Sequence, residues 1–449
     1  MNKLMPAVIG IVAIIIVIAS YWSTDVIGKN SYDDAAITMR YAINLAEGQG
    51  LVFNEGEKTD AASSFLFTII LTIAYRIGFH NLEIVSFIMN MLSTGAIAAF
   101  VFLCGIKLGV YRVIAATVAL IATVHGFISG WACFGMDTVP WTALLVVWAY
   151  FTFINRRENL SALFTVLVVL MRFEGLLILP VWWISGRMNR RHLIVFALIA
   201  IYYTARFQYY GVFLPHAYCA KKIIYYYRSQ PWEVIRLWKL YMIPAPIIAI
   251  AGCFMQRRLR LLMIYVGIST LSCMVGIASD WGRYTVHLFP LMLIIGFPVM
   301  RHKYIAFIIC TTLIYQSYHS VEWMRRNAAN LAPCQVARLE AGQWLQDNID
   351  RSQWVISSDI GAIAYKAKDC KFIDLTGLTS RDVYEEYKEG GTADRVIADK
   401  NPAYIADTFN VINGKIVYNH QISLPGNTAN IVKRWEYKPD IIIGIARIL

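Results

Sequence analysis

Apolar runs recur from Met5 to about Tyr318, separated by short stretches that carry most of the basic residues. No water satisfies the backbone inside a bilayer, so runs of this kind fold as helices that pair their own N–H and C=O groups. The chain is therefore expected to be an α-helical polytopic membrane protein. Composition agrees: 16% of the 449 residues are charged and 58% are hydrophobic, whereas a soluble domain is roughly a quarter charged. The first run, Met5–Ile18, follows Lys3 and has no small-x-small cleavage site after it, so we read it as a retained anchor. From about Leu331 the composition turns polar. The expected division is a membrane region, residues 1–325, followed by a soluble region, residues 326–449.

A net charge of +12 could point to nucleic acid. Here most basic residues punctuate apolar segments, which membrane topology explains better, and no nucleic-acid partner is expected. The eight cysteines form no CxxC or Cys/His pattern. Cys334 and Cys370 both fall in the soluble region, where a disulfide or two free thiols are both open.

Basic clusters stay on the cytoplasmic side of membrane helices. They lie at Lys107/Arg112, Arg156/Arg157, Arg187/Arg190/Arg191, Arg257/Arg258/Arg260 and Arg301/Lys303. If the short apolar segment Ser63–Gly78 crosses, all five land outside; they fall on the cytoplasmic side only if it dips into the interface. That choice gives about eleven crossings and puts the C-terminal region outside. It also splits residues 160–186 into two short crossings, Leu160–Met171 and Gly175–Ser185. Each is about 18 Å long at 1.5 Å per residue. Arg172 and Glu174 then sit at the outer surface and not at mid-bilayer, where they would be costly.

With this topology the outer loops are 25–62, 130–137, 172–174, 207–233, 279–283 and everything after about 319. The loop 207–233 breaks the charge rule with Lys221, Lys222 and Arg228, beside Tyr209, Tyr210, Tyr225, Tyr226, Tyr227 and Trp232. These cations are either solvated charge or a site for an anionic headgroup such as a lipid phosphate. In the first outer loop, Ser31 or Asp33 can cap a helix ending at Gly48 or Gly50. Asp33, Ile37, Arg40 and Asn44 would share one of its faces. Asp33 and Asp34 are then either plain capping residues or a base and a metal ligand.

The stretch Tyr32–Ala42, followed by Gly48–Glu57, resembles the integral-membrane GT-C glycosyltransferases, and most closely the branch with actinobacterial terminal arabinofuranosyltransferases. Further likenesses run along the chain. Gly135–Thr138 resembles a Gly-Met-Glu-Thr motif with Asp137 in place of Glu. Arg172–Gly175 resembles Arg-Pro-Glu-Gly with Phe173 in place of Pro. Tyr210–Lys221 resembles Tyr-Gly-x-x-Leu-Pro-Asn-x-x-x-x-Lys with His216 in place of Asn. Asp280–Tyr284, Ser358–Tyr365 and Ile373–Leu378 also match family stretches.

The resemblance implies a GT-C membrane domain with a small C-terminal α/β extracytoplasmic domain, in a bacterial inner membrane. It implies transfer of a sugar, such as the pentofuranose arabinose, from a polyprenyl-phosphate donor. The acceptor would be a cell-surface glycan, lipid or protein, and the anomeric centre would invert. Asp33 would be the general base, and Asp34 would orient the acceptor or hold a cation. Arg40, Arg172, His216, Lys221 and Arg283 would bind the lipid-phosphate donor. Asp137 and Glu174 would orient the sugar, and Asp34 and Asp137 are the candidate ligands of a divalent cation. Local alternatives stand beside these roles: a salt bridge from Arg172 to Glu174, pairing of Arg283 with Asp280, packing for His216, capping for Asp137. No GxGxxG or P-loop follows a strand, which agrees with a lipid-linked donor over a nucleotide sugar. A transporter or flippase of lipid-linked sugars is the rival class. It would be expected to place ionisable residues near mid-membrane, often within an internal repeat.

In the soluble region the pattern predicts a helix at Arg338–Ile349, strands at Trp354–Ser357 and Lys371–Leu375, and a helix starting at Arg381–Glu386. Another strand is expected at Tyr404–Ala406, then a turn at Asn413-Gly414 before a strand at Lys415–Tyr418. Acceptor binding and simple capping are both open roles for this region.

Overall fold

The computed structural model describes residues 4–24, 26, 32–62, 64–186, 189–224, 231–275, 282–412, 415–418, 429–438 and 440–448, with backbone only at 224, 231–234, 275 and 415–416. Ser31, Tyr225–Tyr227, Arg228, the side chain of Trp232, Asp280 and Asn413-Gly414 lie outside the described residues.

The helical part opens with α1 (Met5–Tyr21), α2 (Asp33–Ala46), α3 (Phe65–Arg76) and α4 (Leu82–Lys107). It continues with α5 (Arg112–Val124), α6 (Gly126–Cys133), α7 (Thr138–Ala149), α8 (Glu158–Met171), α9 (Ile178–Ser185) and α10 (Arg190–Tyr210). Then come α11 (His216–Ile224), α12 (Pro231–Tyr241), α13 (Ala245–Met255), α14 (Arg260–Val275), α15 (Leu288–Gly296) and α16 (Lys303–Asn348). Among the described residues three helical spans are long and apolar enough to cross a membrane: Met5–Thr24, Leu82–Lys107 and Arg190–Tyr210. Two bent pairs, α5 with α6 (51°) and Ile235–Tyr241 with α13 (89°), bring the number to five. The expected count of about eleven is thus not reached on length and composition alone. The remaining apolar helices are shorter than the roughly 20 residues a spanning helix needs.

The helix α3 runs beside α2: Thr72 donates to the Ala42 carbonyl (3.2 Å), and Tyr75 donates to Glu47 (3.0 Å). Its flanks are held by Ser64 on Met171 and by Glu83 near Lys366. The helices α8 and α9 pack against each other as a hairpin. Trp182 of α9 donates to Ser161 of α8 (2.9 Å), and Arg191 pairs with Glu158. Arg156 and Arg191 line one cavity.

At 46 residues, α16 is about 69 Å long at 1.5 Å per residue, more than twice the roughly 30 Å of hydrocarbon. It must leave the membrane, and it runs unbroken through the boundary expected at residues 325/326. The helix expected at Arg338–Ile349 is its last part. Beyond it lie β1 (Trp354–Ser357), α17 (Ala362–Lys366), β2 (Lys371–Asp374), α18 (Arg381–Lys388), α19 (Asp394–Lys400), β3 (Tyr404–Ile412), β4 (Lys415–Tyr418), β5 (Ala429–Lys438) and β6 (Ile441–Ile448). The sheet order is β2-β1-β3-β6-β5, with β4 also on β3. Strands β1, β2 and β3 are parallel to one another; β4, β5 and β6 add antiparallel. One face of the sheet packs on α16, α17 and α2, the other on α18 and α19. The sequence reading omits β5 and β6, although Ile441–Ile448 is a plain buried-strand run. Cys334 and Cys370 are free, buried thiols.

Candidate active site at the membrane–domain junction

The helix α2 has one face against α17. Tyr32 occupies the N-cap position, and the Asp33 and Asp34 side chains are not used in capping. Asp33 instead accepts hydrogen bonds from the backbone N–H of Gly361 (3.1 Å) and Ala362 (2.8 Å). A Cβ at Gly361 would lie 2.0 Å from the Asp33 carbonyl oxygen, so only glycine allows this approach. Ile37 packs among Ile363 and Ala364. Arg40 donates to the carbonyls of Phe53 (2.8 Å), Ala364, Ala367 (3.0 Å) and Cys370 (2.6 Å) and lies over the Phe53 ring. Asn44 donates to Val52 and Phe53, both at 2.9 Å. The face singled out by helical spacing is real, but its Asp33 and Arg40 dock on the C-terminal domain, while Asn44 holds the loop after α2. Arg40 is therefore a clamp between domains and not a phosphate ligand: its N–H groups are held by carbonyls. Each carbonyl orphaned by its removal would cost about 1–3 kcal/mol.

One residue on, Asp34 turns to the other side. It accepts from Lys221 on α11 (2.9 Å) and Arg283 (2.7 Å), two cations far apart in the chain. Arg283 is almost fully buried, whereas Asp34 keeps 23% of its side chain exposed, so the cluster stays reachable. The Arg283 guanidinium lies 5.8 Å from the ring centre of Trp131 and 5.4 Å from that of Tyr284. The two carboxylates are driven apart electrostatically. Desolvation pushes Asp33 above the usual carboxylate range, and the Arg338 charge only partly opposes it. For Asp34 desolvation acts the same way, but Lys221 and Arg283 together outweigh it and hold the group well below that range.

Behind Asp33 the loop after β1 is fixed from both sides. Asp359 is bound by Arg338 of α16 and by Thr408. Asp407 of β3 accepts from the Ser358 N–H (2.7 Å) and hydroxyl (2.8 Å) and from Tyr418 (2.9 Å). Burial and the neighbouring Asp359 push Asp407 up to about 7. The amides that meet Asp33 are thus presented at the carboxyl end of the parallel strands, the end at which open α/β sheets offer their loops to ligands.

A second ionic cluster stands close by. Arg172 grips both oxygens of Asp137 (3.0 and 3.1 Å) and also bonds Glu174 (2.8 Å). The salt-bridge alternative for Arg172 is therefore realised, with Asp137 as an added partner. Asp137 is at the N-cap position of α7 but makes no capping bond. Arg172, Glu174 and Arg283, with Trp141, Tyr284 and His287, line a cavity of about 90 Å³. Arg172 and Phe173 also line a larger, mainly apolar cavity of about 440 Å³, between α3, α8 and α10. The buried pair Asp60–Arg206 sits in its wall. His216 is not in either lining: it bonds the Gly377 carbonyl (2.9 Å) and packs on Tyr384, so it docks α11 on the C-terminal domain.

Of the sequence-derived residues, the structure brings Asp33, Asp34, Lys221 and Arg283 together, with Arg172, Asp137 and Glu174 around the adjoining cavity. Arg40 and His216 serve the domain interface. Among the described residues no group of three or more His, Cys, Asp or Glu gathers as a metal site. Asp34 and Asp137 are each bound to cations of the chain itself, a poor fit to a divalent ion. Periodicity marks Arg338 only as a helix start, and no local signal marks Asp60 or Arg206. Ser358–Tyr365 carries a family likeness, but only the fold brings Gly361 to Asp33.

A family model described as a domain of unknown function (DUF8728) matches residues 320–443. No curated protein matches the chain by sequence. Among solved structures, ArnT from Cupriavidus metallidurans bound to undecaprenyl phosphate superposes with a TM-score of 0.55 at 11% identity, covering 98% of each chain. The arabinofuranosyltransferase AftD from Mycobacteria gives 0.55 at 14% identity, over 100% of this chain and 40% of that one. The Archaeoglobus fulgidus oligosaccharyltransferase AglB, in complex with an inhibitory peptide and a dolichol-phosphate, gives 0.52 at 10% identity, over 91% and 70%. All three are GT-C superfamily members, and the chain shares the GT-C fold.

Proposed function

We propose that the chain is a polyprenyl-phosphate-dependent glycosyltransferase of the bacterial inner membrane, acting on the extracytoplasmic face with inversion at the anomeric carbon. The observation that carries this reading is the Asp34–Lys221–Arg283 cluster beside Asp33, next to a small cavity lined by Arg172, Glu174 and Arg283 that shares Arg172 and Phe173 with a larger apolar one. Such a layout suits a donor with a lipid tail, a phosphate and a sugar. The apolar cavity would take the first isoprene units. Lys221 and Arg283 would stabilise the phosphate as it leaves, supplying the charge that a divalent cation at Asp34 or Asp137 would otherwise bring. Arg172, with Asp137 and Glu174 fixed on it, would orient the sugar hydroxyls. Asp33 would take the proton of the acceptor hydroxyl; desolvation makes it the stronger base of the pair. The motifs favour a pentofuranose such as arabinofuranose, delivered to a surface glycan.

In this reading the shorter helices complete about eleven passes, which protein neighbours and local thinning would permit. An impermeant thiol reagent applied to intact cells should label a cysteine placed near Gly390 and spare ones near Arg157 and Arg258. The opposite pattern would remove the extracytoplasmic site. Activity is tested by incubating purified protein with labelled polyprenyl-phosphate sugar and the surface fraction of cells lacking the gene. Label should move to the acceptor. Movement across a vesicle without transfer would instead make the chain a flippase.

A further inference from the structure

The far end of the α8–α9 hairpin holds a cavity that the proposed reaction does not use. Its volume is about 160 Å³, and it lies among the π-helical turn Tyr150–Ile154, the start of α8, the end of α9 and the start of α10. It shares no lining residue with the two cavities of the candidate active site. The 14 residues of α8 separate it from Arg172, a distance of about 21 Å at 1.5 Å per residue.

Its wall gathers donors with unused capacity. Arg156 has no hydrogen bond or ion pair among the described residues, and its backbone is held in the left-handed region at φ 47°. Backbone bonds pin the turn on either side of it, from Asn155 to Tyr150 (2.8 Å) and from Arg157 to Phe151 (3.0 Å). Such a conformation is costly for a side chain larger than glycine and persists where the surroundings impose it, often at functional positions. Glu158 is the one acid in the wall, and Arg191 neutralises it while also donating to Asn159 (2.6 Å). The charge of Arg156 is left over. His192 is 5% exposed and stacks on Trp182. Asn189 engages its Nδ1 (3.1 and 3.3 Å), and its Nε2 is buried with no partner among the described residues. A Cβ at Gly186 would lie 3.6 Å from that Nε2, so the bare glycine keeps the nitrogen clear.

A free guanidinium and an unpartnered imidazole nitrogen around one small cavity suit a phosphate group, whose oxygens take short, charge-assisted hydrogen bonds from such donors. The hairpin also explains where a phosphate would come from. Its two arms, Glu158–Met171 and Phe173–Ser185, are 10–17 residues long, short of the roughly 20 that cross a bilayer. A short helix set in a bilayer draws the headgroups inward at its ends, which brings lipid phosphates to the level of this cavity. We propose that the cavity is a phosphate site, filled by the headgroup of an anionic phospholipid that holds the short hairpin at its basic end. The site needs the chain to sit in a membrane; it does not need the transfer reaction.

The test reconstitutes the full chain in nanodiscs of equal parts phosphatidylglycerol and phosphatidylcholine, releases it into detergent, and counts the retained phospholipid by mass spectrometry. The wild-type chain should keep phosphatidylglycerol over phosphatidylcholine. Arg156→Gly removes the charge and suits the left-handed backbone; it should lower that preference by about 5-fold, the scale of one basic contact to an anionic headgroup. Gly186→Ala, at an extended position that accepts a side chain, sets a methyl against His192 and should lower it by a similar factor. Arg156→Lys should keep most of it. Arg112→Gln, at an exposed arginine outside the cavity, should change nothing. Equal retention of the two lipids by the wild-type chain overturns the site. An equal loss in Arg112→Gln also overturns it, because surface charge alone would then account for the preference. Calorimetric titration of the detergent-solubilised chain with inorganic phosphate separates the sources: phosphate binding without any lipid preference overturns the lipid as the occupant.

Discussion

Asp33→Asn is expected to lower sugar transfer by about 100-fold or more, the usual scale for loss of a general base, while the protein still binds its donor. The substitution keeps the size and polarity of the side chain, and the amide oxygen can still accept from Gly361 or Ala362. What it removes is the proton acceptor. The wild-type enzyme should also lose activity as pH falls through the pKa of Asp33, because the base must be ionised. Desolvation raises that pKa, so the acid limb should lie above the ordinary carboxylate range. Asp34→Asn should damage transfer differently. Its carboxylate stays ionised well below that range, so it titrates outside the limb, and its loss should release Lys221 and Arg283 and appear mainly in the donor KM. Binding and turnover scored separately at equal expression decide the assignment. Full activity in Asp33→Asn with none in Asp34→Asn would exchange the two roles.

Arg283→Ala and Lys221→Ala are each expected to cost about 2–4 kcal/mol of transition-state stabilisation, the scale for removing one donor from a developing anion. The effect of Arg283 should be the larger. It is 3% exposed against 15% for Lys221, and a charge acts more strongly where water is excluded. Its removal also strips Asp34 of one of two cations, so Arg283→Lys is the informative companion. That variant should recover part of the turnover if charge is what matters, and little if the planar guanidinium fork beside Trp131 and Tyr284 is needed. Unchanged turnover in both alanine variants would return the two cations to a purely structural role.

The primary sequence by itself determined the membrane character, the polar C-terminal domain, and the break between the short helices α8 and α9. These follow from local terms: a run of apolar side chains, a positive charge at a helix end, a carboxylate too costly to bury in lipid. Helical spacing likewise put Asp33, Ile37, Arg40 and Asn44 on one face, and α2 keeps that register. Spacing cannot say what a face meets. Only the tertiary structure decided that this face lies on α17, which turned Arg40 from a candidate phosphate ligand into a domain clamp and His216 into a docking contact. Only the tertiary structure brought Lys221 and Arg283 to Asp34, across 187 and 249 positions, and set Arg338 behind Asp33. The physical reason is the same in each case. An unpaired charge in a desolvated site must find partners. Those partners are chosen by how helices and sheet pack in three dimensions, a long-range term that no local window of sequence contains.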